Sequence, residues 1–278
     1  MKVDSNTVLY GLIGHPVSHS ISPLIHNLSF EYFNINSIYT VFDVTPENLE
    51  NAVKGLKSLG IKGINVTVPH KENVIKYLDY ISEEAKLIGA VNTIINSDGI
   101  LKGYNTDYMG FLESISENNE VLKERDILLI GAGGAAKAIL IALAKNDVNS
   151  ITILNRDVQK AEVLAKTLEK DFNLKIEVYP LQDAEKLNNI DMIINATSVG
   201  MAPDFEKSPV SENVVKKANF VYDVIYNPEK TILLKYAERN NIKYQNGFSM
   251  VINQAYHSFK LWTGKNFDKN LVYKHIQK

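Results

Sequence analysis

Asp126-Ile127-Leu128-Leu129-Ile130-Gly131-Ala132-Gly133-Gly134-Ala135-Ala136-Lys137-Ala138 decides the fold reading. An apolar β-type run meets three glycines, and the chain continues as Ala-rich helix. That order of parts builds a dinucleotide-binding βαβ unit, in which glycines let the backbone approach a pyrophosphate at a helix N-terminus. The spelling is G-x-G-G-A-A, so Ala136 takes the third glycine's place where helix packs on sheet. A tight strand-to-helix turn with no ligand stays open as the plainer reading of these residues alone.

Outward from this stretch, strands and helices alternate. The pattern predicts strand 127–131, helix 134–146, strand 150–155, helix 158–171, strands 176–179, 191–196 and 220–225, and helix 229–240. Such alternation implies a parallel sheet covered on both faces, a doubly wound domain. Strand 150–155 ends at Asn155-Arg156, where an NAD site usually carries Asp or Glu. A guanidinium grips a 2′-phosphate and a carboxylate repels it, so Arg156, with Lys160 one turn on, favours NADP. Asp157 leans the other way. Loops 195–201 and 223–228 follow strands and should rim a nicotinamide crevice.

Upstream, Val8–Gly14 reads as a strand, and Ser22-Pro23 opens a helix with Ser22 as N-cap. Ile38–Val44 is a strand, Thr45-Pro46 caps a helix to about Leu59, and Gly63–Pro69 is a third strand leading to a short helix from His70. Asp98-Gly99 closes a hairpin, and Tyr108–Glu117 is a linking helix. Three polar clusters stand out: His19-Ser20-Ile21-Ser22-Pro23, Thr67-Val68-Pro69-His70-Lys71, and Asn92 with Asn105-Thr106-Asp107. Each has a plain reading as caps, turns or surface groups. The last long helix, 250–263, carries Gln254, packs Val251, Ala255, Phe259 and Trp262 as core, and is placed back on the first domain.

The totals narrow the function. With 278 residues and 45% hydrophobic content, two domains fit better than one. A net charge of −2 without a basic stripe argues against nucleic acid. Zero cysteines excludes disulfides and thiol chemistry and suits a cytoplasmic protein. The acidic start of the chain does not read as a signal peptide. Lys137 and the glycines argue against a membrane span at 127–144. His15, His19 and His26 do not make a metal site, because Pro16 breaks the shared face and no coordination set completes it.

Together, Gly14-His15-Pro16, His19–Pro23, Asn65–Lys71, Asn105–Asp107, the glycine turn, Asn155-Arg156, Asn195–Met201, Asp223–Pro228, Gln254-Ala255 and Leu261–Gly264 resemble the shikimate dehydrogenases over nearly the whole chain. The resemblance implies NADPH-dependent, reversible reduction of 3-dehydroshikimate to shikimate in aromatic amino-acid biosynthesis. It implies an α/β architecture: an N-terminal α/β substrate domain (1–108, completed by 250–278) and a Rossmann-type NADP(H) domain (109–249). Lys71 and Asp107 would be the catalytic pair. Ser20, Ser22, Thr67, Lys71, Asn92, Asp107, Tyr226 and Gln254 would hold substrate. Gly131, Ala132, Gly133, Gly134, Ala135, Ala136, Asn155, Arg156, Lys160, Thr197, Met201, Val224 and Gly247 would contact the cofactor, and a monomer or homodimer is expected. Ser249 stands where the family commonly has glycine. An NAD-linked quinate/shikimate dehydrogenase, a non-catalytic nucleotide sensor and a folate dehydrogenase are the competing readings.

Overall fold

The computed structural model describes residues 3–172 and 174–276. The chain forms two compact units, one of the residues through Gly110 together with those from Ile252 onward, the other Phe111–Val251.

The first unit holds β1 (Val8–Gly14), α1 (Ser22–Tyr32), β2 (Ser37–Asp43), α2 (Leu49–Ser58), β3 (Gly63–Val66), β4 (Tyr80–Ile81), α3 (Glu83–Ile88), β5 (Thr93–Ser97) and β6 (Ile100–Tyr104). α4 (Asp107–Glu117) leads out of it. Its sheet runs β2-β1-β3-β5-β6-β4, with β1 parallel to β2 and β3, and β3, β5 and β6 antiparallel in turn. Asp98-Gly99 joins β5 to β6 with both φ positive, 51° and 89°, as a two-residue hairpin turn requires. A core of Ile13, Val53, Leu56, Ile64, Val91 and Leu101 fills one layer.

The second unit is wholly parallel. β7 (Asp126–Ile130), α5 (Gly134–Ala144), β8 (Ser150–Asn155), α6 (Val158–Asp171), β9 (Lys175–Pro180), β10 (Met192–Asn195), α7 (Glu212–Val215), β11 (Phe220–Asp223), α8 (Ile232–Arg239) and β12 (Lys243–Gln245) follow in order. The sheet order β12-β11-β10-β7-β8-β9 is the doubly wound order of dinucleotide-binding folds, and the connections reverse direction between β7 and β10. Ala136 is fully buried, so the small residue at the third-glycine position is there for helix-on-sheet packing.

α9 (Phe248–Thr263) and α10 (Lys269–Ile276) close the chain, and from Ile252 on they belong to the first unit. There Phe259 packs on Phe30 with ring centroids 5.3 Å apart, and Trp262 on Tyr10 at 5.2 Å. Burying Phe259 completely contributes about 2–3 kcal/mol. The Trp262 indole also donates to the Ile94 carbonyl at 3.0 Å. Among the described residues no helix is long and apolar enough to cross a membrane.

Several local expectations are corrected. Ser22 is not the cap of α1: the cap is Ile21, and no side chain caps the helix there. Thr45 likewise gives no cap bond, and a 3-10 turn, Pro46–Asn48, precedes α2. β3 stops at Val66, and after His70 the chain makes a 3-10 turn, Asn73–Tyr77, rather than an α-helix. α8 starts at Ile232 because Thr231 caps it, accepting from the Leu234 N–H.

β2 is an edge strand, whose outward backbone groups need partners. Asn27 of α1 supplies both: its amide donates to the Tyr39 carbonyl at 2.9 Å and accepts from the Tyr39 N–H at 2.8 Å. Asn27→Ala is expected to lower stability by about 1–3 kcal/mol through those two stranded groups. Urea unfolding checks this, and an unchanged midpoint would show the edge to be indifferent to Asn27.

Candidate active site and cofactor cradle

In the first unit three of the expected residues are bonded to one another. The Lys71 ammonium donates to Asp107 Oδ2 at 2.6 Å, and Asn92 donates from Nδ2 to Asp107 Oδ1 at 2.8 Å. The pair is well buried, with side chains 16% and 8% exposed. Local folding explains the meeting. Lys71 lies past the end of β3, and its carbonyl accepts from the Val91 N–H at 2.8 Å, tying it to the approach of β5. Asp107 is the first residue of α4, where the helix field favours a carboxylate. Its own N–H is held by Asn105, whose amide is anchored on the Ala90 carbonyl. Among the described residues Asp107 is the only hydrogen-bond partner of the Lys71 side chain, leaving two ammonium N–H groups for a ligand.

Behind the pair runs a buried chain of neutral groups. Asn92 Oδ1 accepts from the Thr106 N–H at 2.8 Å and from the Thr93 hydroxyl at 2.9 Å. Ser258 of α9 lies 2.8 Å from Thr93 Oγ1 and 3.1 Å from Thr106 Oγ1, and donates to the Gln254 carbonyl at 3.0 Å. Asn65 donates to Ser258 at 3.0 Å and accepts from the Tyr39 phenol at 2.8 Å. Burial holds the Tyr39 phenol well above its ordinary range, so it remains a donor. His26 stacks on Tyr39 at 4.5 Å, and burial pushes it down to about 3, keeping the ring uncharged.

The remaining expected positions are placed as follows. Ser20 Oγ accepts from the Ser22 N–H at 3.3 Å, and the Ser22 hydroxyl, spared from capping, lies beside the Tyr39 phenol. Thr67 adjoins Gly14 at the end of β1. Gln254 reaches the network through its carbonyl and Ser258. Tyr226 belongs to the other unit, half-buried in the loop after β11. Thr93, Ser258 and Tyr39 also belong to this cluster, beyond the residues the sequence singles out. Of these only Thr93, next to Asn92, carried a hint in the sequence.

The candidate cofactor cradle lies in the second unit. Gly131 turns the chain at φ 110°, where a side chain is strained, and Gly133 caps α5 with no side chain. A methyl group built on Gly133 would meet nothing within 4 Å, so open space lies before the uncapped N–H groups of α5. That is the fit a pyrophosphate requires. Arg156 is exposed and, among the described residues, pairs with no carboxylate. Asp157 is occupied: it caps α6, accepting from the Lys160 N–H at 3.0 Å, while the Asn155 amide donates to the Asp157 carbonyl. Across the β7/β10 switch point a Cβ on Gly131 would stand 2.9 Å from Thr197 Cγ2, so the two turns adjoin. Met201 is half-buried at the end of the second of them.

Residues 12–94 match the family model of the shikimate dehydrogenase substrate binding domain, and residues 113–228 that of shikimate / quinate 5-dehydrogenase. The shikimate dehydrogenase (NADP(+)) of Caldanaerobacter subterraneus subsp. tengcongensis is 58% identical over 277 residues, covering 100% of this chain and 99% of that one. The chain belongs to the shikimate dehydrogenase family. Among solved structures, the Thermus thermophilus shikimate 5-dehydrogenase in complex with NADP(H) and shikimate superposes with TM-score 0.86 at 32% identity, covering 97% of this chain and 98% of its own. The Listeria monocytogenes shikimate 5-dehydrogenase, in complex with shikimate and NAD, gives 0.91 at 33% identity, with 99% and 98% covered.

Within this shikimate dehydrogenase fold, Asp223 ends β11 fully buried. Burial pushes its carboxyl up to about 6, against the opposing pull of Thr231, the Ile225 N–H and Asn195. A raised folded value means that the contribution to stability is whole below the unfolded value of 3.8 and is lost as pH rises through about 6. Asp223→Asn, which does not ionise, should therefore gain on the parent by up to about 3 kcal/mol between about pH 4 and about pH 8. Urea midpoints at the two pH values measure it. A difference that stays constant with pH would contradict the assignment.

Proposed function

We propose that this chain catalyses the reversible reduction of 3-dehydroshikimate to shikimate, in the shikimate route to aromatic amino acids. The first unit, with the C-terminal helices, binds the substrate, and the second binds NADP(H). The observation that carries the reading is the buried Lys71–Asp107 pair, in which, among the described residues, the ammonium has two N–H groups to spare.

When bound, NADPH supplies the hydride. The protein's part is to bind, orient and manage charge. Reducing a ketone builds negative charge on its oxygen, which needs a donor close by. The Lys71 ammonium stabilises that charge and hands over a proton, and Asp107, steadied by Asn92, holds the ammonium and shares in the proton's return. Ser20, Ser22, Thr67, Asn92, Gln254 and Tyr226 take the hydroxyls and carboxylate of the substrate. Gly131, Ala132, Gly133, Gly134, Ala135 and Ala136 form the pyrophosphate turn. Asn155, Arg156 and Lys160 receive the adenosine end, and Thr197, Met201, Val224 and Gly247 the nicotinamide end. Arg156 selects NADP, and the employment of Asp157 as a helix cap supports this, since a capping carboxylate is less free for a ribose diol. A cytoplasmic enzyme, monomeric or homodimeric, completes the proposal, and light scattering after gel filtration reads the oligomeric state.

Initial rates of nicotinamide reduction with shikimate and either NADP⁺ or NAD⁺ test the activity. Fast, shikimate-dependent turnover with NADP⁺ is expected, and none with either cofactor would refute the proposal. Arg156→Gln should weaken NADP⁺ relative to NAD⁺ by about 10–100-fold, the worth of a charge-assisted hydrogen bond. Lys71→Ala should lower kcat by about 10²-fold or more, the scale of general acid catalysis. Near-normal turnover of that variant at saturating substrate would remove Lys71 from the chemistry.

A further inference from the structure

Among the described residues no cation pairs with the buried Asp223 carboxylate. Its partners are all neutral: Asn195 donates from Nδ2 to Oδ1 at 3.0 Å, the Ile225 N–H to Oδ1 at 3.1 Å, and the Thr231 hydroxyl to Oδ2 at 2.7 Å. A buried carboxylate is an expensive way to end a strand. What it does that an apolar residue could not is orient an amide. A carboxylate only accepts, so the Asn195 side chain must point its NH₂ at Asp223 and its oxygen the other way. That oxygen accepts from both the N–H and the hydroxyl of Thr197, at 3.0 Å and 2.7 Å, and the Thr197 hydroxyl in turn accepts from the Val199 N–H.

The same carboxylate reaches a second turn. Ile225, whose N–H it holds, accepts at its carbonyl from the Gly247 N–H at 3.1 Å. Gly247 sits so tightly on the Val224 carbonyl that a Cβ there would collide with it. Val224 is also tied back, its N–H donating to the Asn195 carbonyl at 3.0 Å. Thr197, through the Asn195 amide, and Gly247, through Ile225, are thus both tied to one buried group, with Val224 packed between the two turns.

We propose that Asp223 is a positioning residue for cofactor binding, fixing the Asn195 amide and locking the turn after β10 to the turn after β11, so that Thr197, Val224 and Gly247 are presented together to the nicotinamide end. This rests on the reading of the second unit as the NADP(H)-binding one.

The test is binding rather than turnover: NADPH fluorescence titration, with shikimate binding measured separately by calorimetry. Wild-type protein that fails to bind NADPH would sink the cofactor reading itself, a result distinct from those below. Asp223→Ala, with its fold checked by melting, is expected to bind NADPH about 10–100-fold more weakly, with a distinctly smaller loss for shikimate, which meets this turn only through Tyr226. Asp223→Asn is expected to bind NADPH within about twofold, because the Ile225 N–H keeps its oxygen turned toward Asn195 and the Thr231 hydroxyl can accept instead of donate. Should the Ala variant not fold, Asp223→Ser, too short to span both turns, takes its place with the same expected split. NADPH binding at wild-type strength in the Ala or Ser variant overturns the proposal. So does an Asn variant as weak as Ala, or an equal loss of NADPH and shikimate binding.

Discussion

The ion pair between Lys71 and Asp107 governs the architecture of the first unit around it. Two charges 2.6 Å apart and largely withdrawn from water are costly to bury unless every remaining lone pair is met. Removing one partner of such a pair leaves an uncompensated charge, at about 3–5 kcal/mol. Asp107 meets the requirement by accepting on one oxygen from Lys71 and on the other from Asn92. Asn92 is then met by Thr106 and Thr93, and those by Ser258 and Asn65. The hairpin ends, β3 and α9 are thereby joined through one continuous set of neutral donors and acceptors. His26 and Tyr39 at its far end are kept uncharged by burial.

The second unit solves a different problem with the same means. Parallel strands deliver their C-terminal ends to one edge, and the crossing of connections between β7 and β10 opens space there. The uncapped start of α5 and the turns after β10 and β11 lie at that edge. Backbone donors are only as well aimed as the side chains that brace them. Asn195 and Asp223, both fully buried, serve as that bracing.

Legibility in the sequence followed the range of the interactions. The βαβ alternation, the glycine turn, Ala136 at the packing position and the Asp98-Gly99 hairpin are local patterns, and all are present in the structure. Ser22 misled because a Ser-Pro pair is a common cap, whereas here the helix begins one residue earlier in register and the hydroxyl is left for Tyr39. β4, α3, α7 and β12 are not legible in the sequence, since elements of two to six residues are too short to show a period. Lys71, Asn92 and Asp107 were each ambiguous alone and became one cluster only through pairings across 15 and 36 positions. Ser258 was silent because a serine inside an amphipathic helix looks like any other, and its partner Thr93 is 165 residues away.

If Lys71 acts through its attachment to Asp107, a double-mutant cycle on kcat will show it. Lys71→Ala, Asp107→Ala and the double variant would be compared at saturating shikimate and NADP⁺. If the two residues work as one unit, the double variant is no slower than the slower single variant, within about twofold. Losses that multiply across the cycle would show two independent contributions and contradict the account.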